Sequence, residues 1–268
     1  MTVAIDAGNG SLKLASVVDG RVGPVERIPT SPAPDVLLLA ERIAELVFSG
    51  PPDEPVALVS VVPTMTELVR DAARVIGAPL LIADAATIPI PMSIDVAHRG
   101  RVGADRLLGA WGATLHHGAP LIVVDLGTAT TIDVVDASGA FAGGAILPGM
   151  ELGLVSLARR TALLPEVRLR MPDAAIGHDT AAAIRSGVVL GHLGAVREVV
   201  ARIAAELLPQ GGRPTVVATG GVTLAAWARD ALLLPAGSGL PAIVDAVDPE
   251  LLLRSLAMLA THRAAVAG

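Results

Sequence analysis

Cysteine and tyrosine are absent from this chain of 268 residues, and its aromatic side chains are two Trp and two Phe. Without Cys there is no disulfide, thiolate nucleophile or Cys-based zinc site. Rings this scarce nearly exclude recognition by stacking or by a phenol hydroxyl. Lysine is almost missing too, Lys13 being the only one among 20 basic residues. Those 20 stand against 26 acidic residues, a net charge of −6 with no basic cluster, which argues against nucleic-acid binding by phosphate neutralisation. The N-terminus has no positive flank or long apolar run of a secretion signal. Asp, Arg or Pro interrupts every apolar run before about 18 residues, so no membrane span is expected. These absences together predict a cytoplasmic protein that engages neither membrane nor nucleic acid.

What is present is a large apolar fraction, 52%, with 28 Gly and only 17% charged residues. That excludes a disordered chain and promises a core of Ala, Val, Leu and Ile. The length allows one large α/β domain or two modest ones.

The hydrophobic pattern alternates strands and helices. Val3–Ile5 and Lys13–Val18 read as strands, the second ending at the hairpin dipeptide Asp19-Gly20. Helical spacing follows over 35–48, through Leu39, Ile43, Leu46 and Val47, and again over 64–76. Between and after these lie the apolar runs Val56–Val62 and Leu80–Ile82. Residues 104–116 place Leu107, Leu108, Trp111 and Leu115 on one helical stripe. Strands are then expected at 121–124, 131–135 and towards Leu147. Helices follow at 150–163 and from Asp179-Thr180 onwards, then a strand at 215–218 and a last helix over 248–265.

A repeat is embedded in this pattern. Ile5-Asp6-Ala7-Gly8 and Val124-Asp125-Leu126-Gly127 each close an apolar strand and precede a small-polar turn, a second strand and a Gly turn. One offset, 119 residues, relates the Asp, the Gly and the turn Gly (Gly20 and Gly139). Two copies of such a unit, each followed by helices, predict two similar α/β domains. The boundary is expected at 117/118, giving domains 1–117 and 118–268.

The first turn, Gly8-Asn9-Gly10, admits several readings. A dinucleotide fingerprint fails because position 13 is Lys and a strand follows instead of a helix. No Walker A loop exists. A hairpin whose backbone N–H groups bind phosphate oxygens, with Asp6 beside hydrated Mg²⁺, remains, as does an ordinary turn with a solvated Asp. The second copy, residues 125–131, favours the functional reading. A carboxylate that closes an apolar strand, as Asp125 does, usually caps, pairs or meets a cation. Gly103-Ala104-Asp105-Arg106 opens a helix. Asp105 is either a first-turn acid favoured by the helix dipole or a base that accepts a substrate hydroxyl proton. Arg106 is either surface charge or a bidentate partner for a carboxylate or phosphate.

Taken together these motifs resemble the type III pantothenate kinases of the acetate and sugar kinase/Hsp70/actin superfamily. The resemblance includes Asp6 to Lys13, Ser60-Val-Val-Pro63, Gly103 to Arg106, Asp125 to Thr131 and Gly143 to Gly149. It continues through Thr161 to Pro165, Gly177-His-Asp-Thr180, Ala218-Thr-Gly-Gly221 and Asp248 to Leu251. It implies two ribonuclease H-like (actin-like ATPase) domains with mixed sheets flanked by helices, related by internal duplication. It also implies ATP-dependent phosphorylation of the primary hydroxyl of pantothenate, the first step towards coenzyme A, in a homodimer.

Carried onto this sequence, the resemblance makes Asp6, Ala7, Gly8, Asn9, Gly10, Ser11, Leu12 and Lys13 the holders of the ATP phosphates, with Thr128 as a further ATP contact. Asp105 becomes the proton acceptor, with Gly103, Ala104, Asp105, Arg106 and Thr180 contacting pantothenate. Asp125 would bind the activating monovalent cation, K⁺ or NH₄⁺, and Mg²⁺ would accompany ATP near Asp6. Thr180 also suits an anion at a helix start, or a plain N-cap.

Three positions depart from the family pattern. Gly10 stands where a Thr is usual, and Ser11 is the expected substitute hydroxyl. The family's substrate-contacting Tyr is missing from the stretch Asp95-Val96-Ala97-His98, where His98 is the candidate stand-in. Gly109 replaces a frequent Asn. Adenine is expected to rest on apolar and backbone contacts near 218–221. Two other readings stay open: a non-catalytic relative resembling the Bvg accessory factor branch, and a kinase for another hydroxylated carboxylic acid.

Overall fold

Asp6 is the penultimate residue of a six-residue strand in which every side chain is buried, because that strand lies between two partners and under helices on both faces. The computed structural model describes residues 1–48, 55–84, 89–235 and 239–267. They form two compact units: residues 1–93, 97–116 and 250–268, and residues 94–96 and 117–249.

The first unit is built on β1 (Thr2–Ala7), β2 (Ser11–Val18), β3 (Arg21–Val22), β4 (Glu26–Pro29), β5 (Val56–Ser60) and β6 (Leu80–Ile82). The order is β3-β2-β1-β5-β6, with β4 also pairing β2. β1 runs antiparallel to β2 and parallel to β5. Strand side chains alternate between faces, so each face needs its own cover. Val3, Ile5, Leu12 and Leu14 pack with α1 (Val36–Val47) and α2 (Pro63–Ile76). Ala4, Ala15, Val17, Ala57 and Val59 pack with α3 (Ala104–His117) and α7 (Leu251–Ala267). Asp35 caps α1 by accepting from the Leu37 and Leu38 amides. Gly77, in the left-handed region, closes α2.

The second unit repeats this strand plan. β7 (Leu121–Leu126) pairs antiparallel with β8 (Ala129–Val135), which pairs antiparallel with β9 (Phe141–Pro148). β7 also runs parallel to β10 (Thr215–Thr219), and β10 to β11 (Ala246–Val247). One face, through Ile122, Val124, Leu126 and Ile132, packs against Val189, Leu193, Val196 and Val200 of α5 (Thr180–Leu207). α4 (Met150–Arg160) and α6 (Ala226–Leu233) complete the unit. Strand for strand, β7, β8, β10 and β11 take the places of β1, β2, β5 and β6, the duplication expected from the sequence.

The copies differ at the hairpin tip. Three residues, Gly8 to Gly10, separate β1 from β2, whereas two, Gly127 and Thr128, separate β7 from β8. Asp6 therefore lies opposite Lys13, and Asp125 opposite Thr131. A second difference concerns the chain's end. The division at 117/118 groups the last helix with the second sheet, but α7 packs on the first. Leu253, Leu256 and Leu259 cover the β-sheet face that α1 and α2 leave bare. Periodicity did not reveal α6 or β11, which are short. No helix among the described residues is long and apolar enough to cross a membrane.

Candidate active site

In the first unit the expected phosphate loop is a tight hairpin. The Gly8 amide donates to the Ser11 carbonyl at 3.2 Å and closes it. Its tip is held from β4's end, where Thr30 donates its amide to Gly10 O (3.4 Å) and its hydroxyl to Asn9 O (2.7 Å). Asn9 and Gly10 are exposed, Ser11 is half-buried, and Ala7 and Leu12 lie in the core. Thr30 carried no sequence signal as part of this loop.

Asp6 is 5% exposed at the end of β1. Lys13 reaches across from β2 and places Nζ 2.8 Å from Asp6 Oδ2. A carboxylate this deep needs a cation nearby, since an unpaired buried charge is costly. The chain's single Lys supplies one.

Asp105 sits in the first turn of α3 with its carboxylate folded back on the helix. Its Oδ1 accepts the Arg106 amide at 2.8 Å. That fold needs Gly103: a Cβ there would come within 2.5 Å of Oδ1. The carboxyl is held above its ordinary value of 3.8, first by burial and then by the negative charge of Asp6, against the opposing Arg106 amide and guanidinium. Asp6 and Asp105 thus sense one another within the first unit. With Oδ1 engaged by the amide, Oδ2 is the oxygen left to take a proton. Ala104 and Arg106 flank it, both half-buried. His98 is exposed in the loop before α3, and Gly109 is buried on that helix.

In the second unit Asp125 is half-buried near the end of β7, between Thr131 of β8 and Thr219 of β10. The Gly220 backbone presses against it. A Cβ at Gly220 would collide with Asp125 Oδ1 and the Leu126 backbone, and its φ of +95° already suits only glycine. The hairpin tip Gly127-Thr128 is braced by the Gly149 amide, which donates to Thr128 O at 3.0 Å. Thr128 is exposed. On the face away from α5, Thr131 donates its hydroxyl to Asp133, a fully buried carboxylate. On the α5 face, buried Thr130 lies 3.0 Å from His192 Nε2. Burial holds the His192 imidazole below its ordinary value. His192 supports the hairpin without having been singled out, a lone His on the apolar stripe of a helix being the one available signal. Gly149 and Gly220 fall within the motif segments 143–149 and 218–221, which did not foretell their contact with the hairpin.

Thr180 is exposed as the first residue of α5, but Asp179 is the N-cap, accepting the Ala182 amide at 2.7 Å. The N-cap alternative for Thr180 therefore passes to its neighbour. The segment 218–221 runs from the end of β10 into a short 3₁₀ turn, Gly221–Leu224, whose last carbonyls are held by Arg229.

Among the described residues no group of three His, Cys, Asp or Glu is arranged to hold a metal. The donors fit cations held through few protein oxygens. Asp6, one of whose oxygens is paired with Lys13, and Asp105 offer few direct ligands, which suits a Mg²⁺ that keeps most of its water. Asp125, with threonines opposite it on either side, offers the hard oxygens a monovalent cation requires.

A family model of type III pantothenate kinase matches residues 2–202. The chain is similar to the type III pantothenate kinase of Rhodospirillum centenum, 37% identical over 276 residues that cover 99% of this chain and 100% of that one. To that of Rubrobacter xylanophilus it is 35% identical over 269 residues, 97% of each. Among solved structures it is similar to a putative 2-dehydro-3-deoxygalactonokinase from Sinorhizobium meliloti, with TM-score 0.57, 18% identity, and 98% and 99% of the two chains covered. It also resembles MreB5 of Spiroplasma citri bound to AMPPNP, with TM-score 0.53, 11% identity, and 99% and 98% covered. At such identities the likeness shows the fold, that of the actin-like ATPases and sugar kinases.

Proposed function

The chain belongs to the type III pantothenate kinase family, and we propose that it transfers the γ-phosphoryl group of ATP to the primary hydroxyl of pantothenate, opening the route to coenzyme A. The observation that supports this most is Asp105: a carboxyl raised above its ordinary value, with one oxygen tied to the backbone and the other left for a proton.

The chemistry follows from that carboxylate. The pantothenate hydroxyl oxygen forms a bond to the γ-phosphorus as the bond from phosphorus to the β–γ bridging oxygen breaks. Asp105 Oδ2 takes the hydroxyl proton, and ADP leaves with the bridging oxygen's electron pair. Positioning and charge neutralisation carry most of such a transfer, and the base adds to them. The hairpin from Asp6 to Lys13 offers backbone amides and the Lys13 ammonium to phosphate oxygens, and Thr128 adds a second hairpin contact. Arg106 and Thr180 are assigned to pantothenate, Arg106 as partner of its carboxylate. Asp6 would hold hydrated Mg²⁺ and Asp125 a K⁺ or NH₄⁺ ion, and these supply positive charge that offsets the phosphates. Ser11, the hydroxyl beside Gly10, replaces the usual Thr, and His98 takes the place of the absent Tyr.

A homodimer fits the second unit, where Ile146 of β9 and Leu152 and Val155 of α4 are exposed apolar side chains that pairing would bury. Its test is the mass by light scattering.

The deciding assay is ADP release in K⁺ buffer with and without pantothenate, for the wild type and Asp105→Asn. Pantothenate-dependent turnover that Asp105→Asn abolishes is the expected result. No dependence on pantothenate would overturn the substrate, and an Asp105→Asn enzyme of full activity would overturn only the base.

A further inference from the structure

The hydrogen bond between Thr130 and His192 stands in surroundings where an aliphatic pair would pack as well. Thr130 lies opposite Leu126 on one side, in the first β7–β8 pair after the hairpin tip, and opposite Leu147 on the other. Its side chain is 1% exposed. His192 is one helical turn from Val189 and one from Val196, both in the apolar core. Leu126, Ile132, Val189, Leu193 and Val196 form that core, so the polar pair interrupts a layer of branched hydrocarbons. His192 itself is half-buried, and placing a buried hydroxyl against its imidazole gains little over packing hydrocarbon there, because their mutual bond roughly replaces lost water. What such a pair adds is direction: only one rotation and one height of α5 let Nε2 meet Oγ1.

The position makes that direction consequential. Thr130 is two residues from Thr128, whose exposed side chain stands at the tip. The tip is braced on its other strand by Gly149 N–H and at β7's end by Gly220, both through backbone contacts. His192 adds a side-chain hydrogen bond to the apolar contacts between this hairpin and α5. Twelve residues, about 18 Å of helix, separate it from Thr180 at the helix start.

We infer that His192 is a positioning residue for the nucleotide: its bond to Thr130 fixes the Gly127-Thr128 tip in the setting that contacts ATP. The inference rests on the proposed assignment of that tip to ATP, and it needs no particular acceptor. A residue that merely fills the core would affect stability and leave nucleotide affinity alone. A positioning residue does the reverse when its replacement packs well.

The test is binding of Mg·AMPPNP by calorimetry, with thermal melting of the same samples. Variants are His192→Leu, Thr130→Val, the double variant and His192→Gln. The double variant should melt within a few degrees of the wild type while its Kd for Mg·AMPPNP rises roughly tenfold, the worth of one ordinary hydrogen bond. Each single variant should show nearly the whole loss, since either breaks the same bond, and His192→Gln, which keeps a polar group within reach, should recover most of it. Wild-type affinity in a well-folded double variant overturns the inference and leaves the kinase reading intact. A lower melting temperature with unchanged Kd overturns it as well and assigns the pair to stability. No nucleotide binding by the wild type would instead sink the assignment of the hairpin to ATP, and the inference with it.

Discussion

The chain holds one Lys and one Asn, and both are in the first hairpin. A composition that dispenses with these residues elsewhere keeps Lys13 where Asp6 needs a counter-charge and Asn9 at the exposed tip. Lys13→Met should therefore leave the Asp6 carboxylate uncompensated, lowering the melting temperature and raising the KM for ATP more than that for pantothenate. Asp105 gives a sharper expectation. Removal of a general base typically costs about 10²–10⁴-fold in kcat, so Asp105→Asn should lose that much while retaining affinity for Mg·AMPPNP. Because the base must be ionised, the acid limb of the wild-type kcat/KM profile should lie above the ordinary aspartate value of 3.8. The same shift has a stability consequence. A carboxyl whose pKa is higher folded than unfolded opposes folding once ionised, and that cost fades as pH falls through the folded value. Asp105→Asn, which still accepts the Arg106 amide, should equal or exceed the wild type in melting temperature at pH 7, and the difference should vanish in acid.

Among the elements, the two hairpins were located correctly, but their supports were not. Strand, Asp, small residues and strand again are contiguous, so each could be read directly. Thr30, Gly149 and Gly220 touch the tips from distant positions; Thr30 carried no signal, and the motifs that hold Gly149 and Gly220 do not say which backbone each approaches. Gly220→Ala tests such a support. The new methyl must displace Asp125 or Leu126 in a left-handed conformation that disfavours any side chain. It should lower the melting temperature and weaken Mg·AMPPNP binding together, unlike the His192 variants. At α5, Asp179→Ala removes the cap and should cost about 1 kcal/mol of stability, whereas Thr180→Ala should cost little stability and raise the KM for pantothenate.

For the molecule as a whole, the last helix matters most. Leu253, Leu256, Ala257 and Leu259 complete one face of the first sheet, and Ser255 packs at Gly112 of α3. A chain ending at residue 249 should therefore lose cooperative unfolding of its N-terminal unit and aggregate, as judged by differential scanning calorimetry and light scattering. A boundary at 117/118 would instead predict damage confined to the C-terminal half.

Sequence alone determined the alternation of strands and helices and the duplicated Asp-x-Gly hairpin, and it singled out Asp6, Asp105 and Asp125 as candidates, because each of these signals depends on neighbours within a few positions. Scarcity was informative for the same reason: a residue type used once, such as Lys13, marks its own position. Only the tertiary structure decided that Lys13 pairs with Asp6 through a three-residue tip, while the two-residue copy sets Asp125 opposite Thr131. It likewise decided that α7 serves the first sheet and that His192 meets Thr130. Those outcomes depend on strand register and on which apolar face lacks cover, and both are settled by packing between segments far apart in the chain.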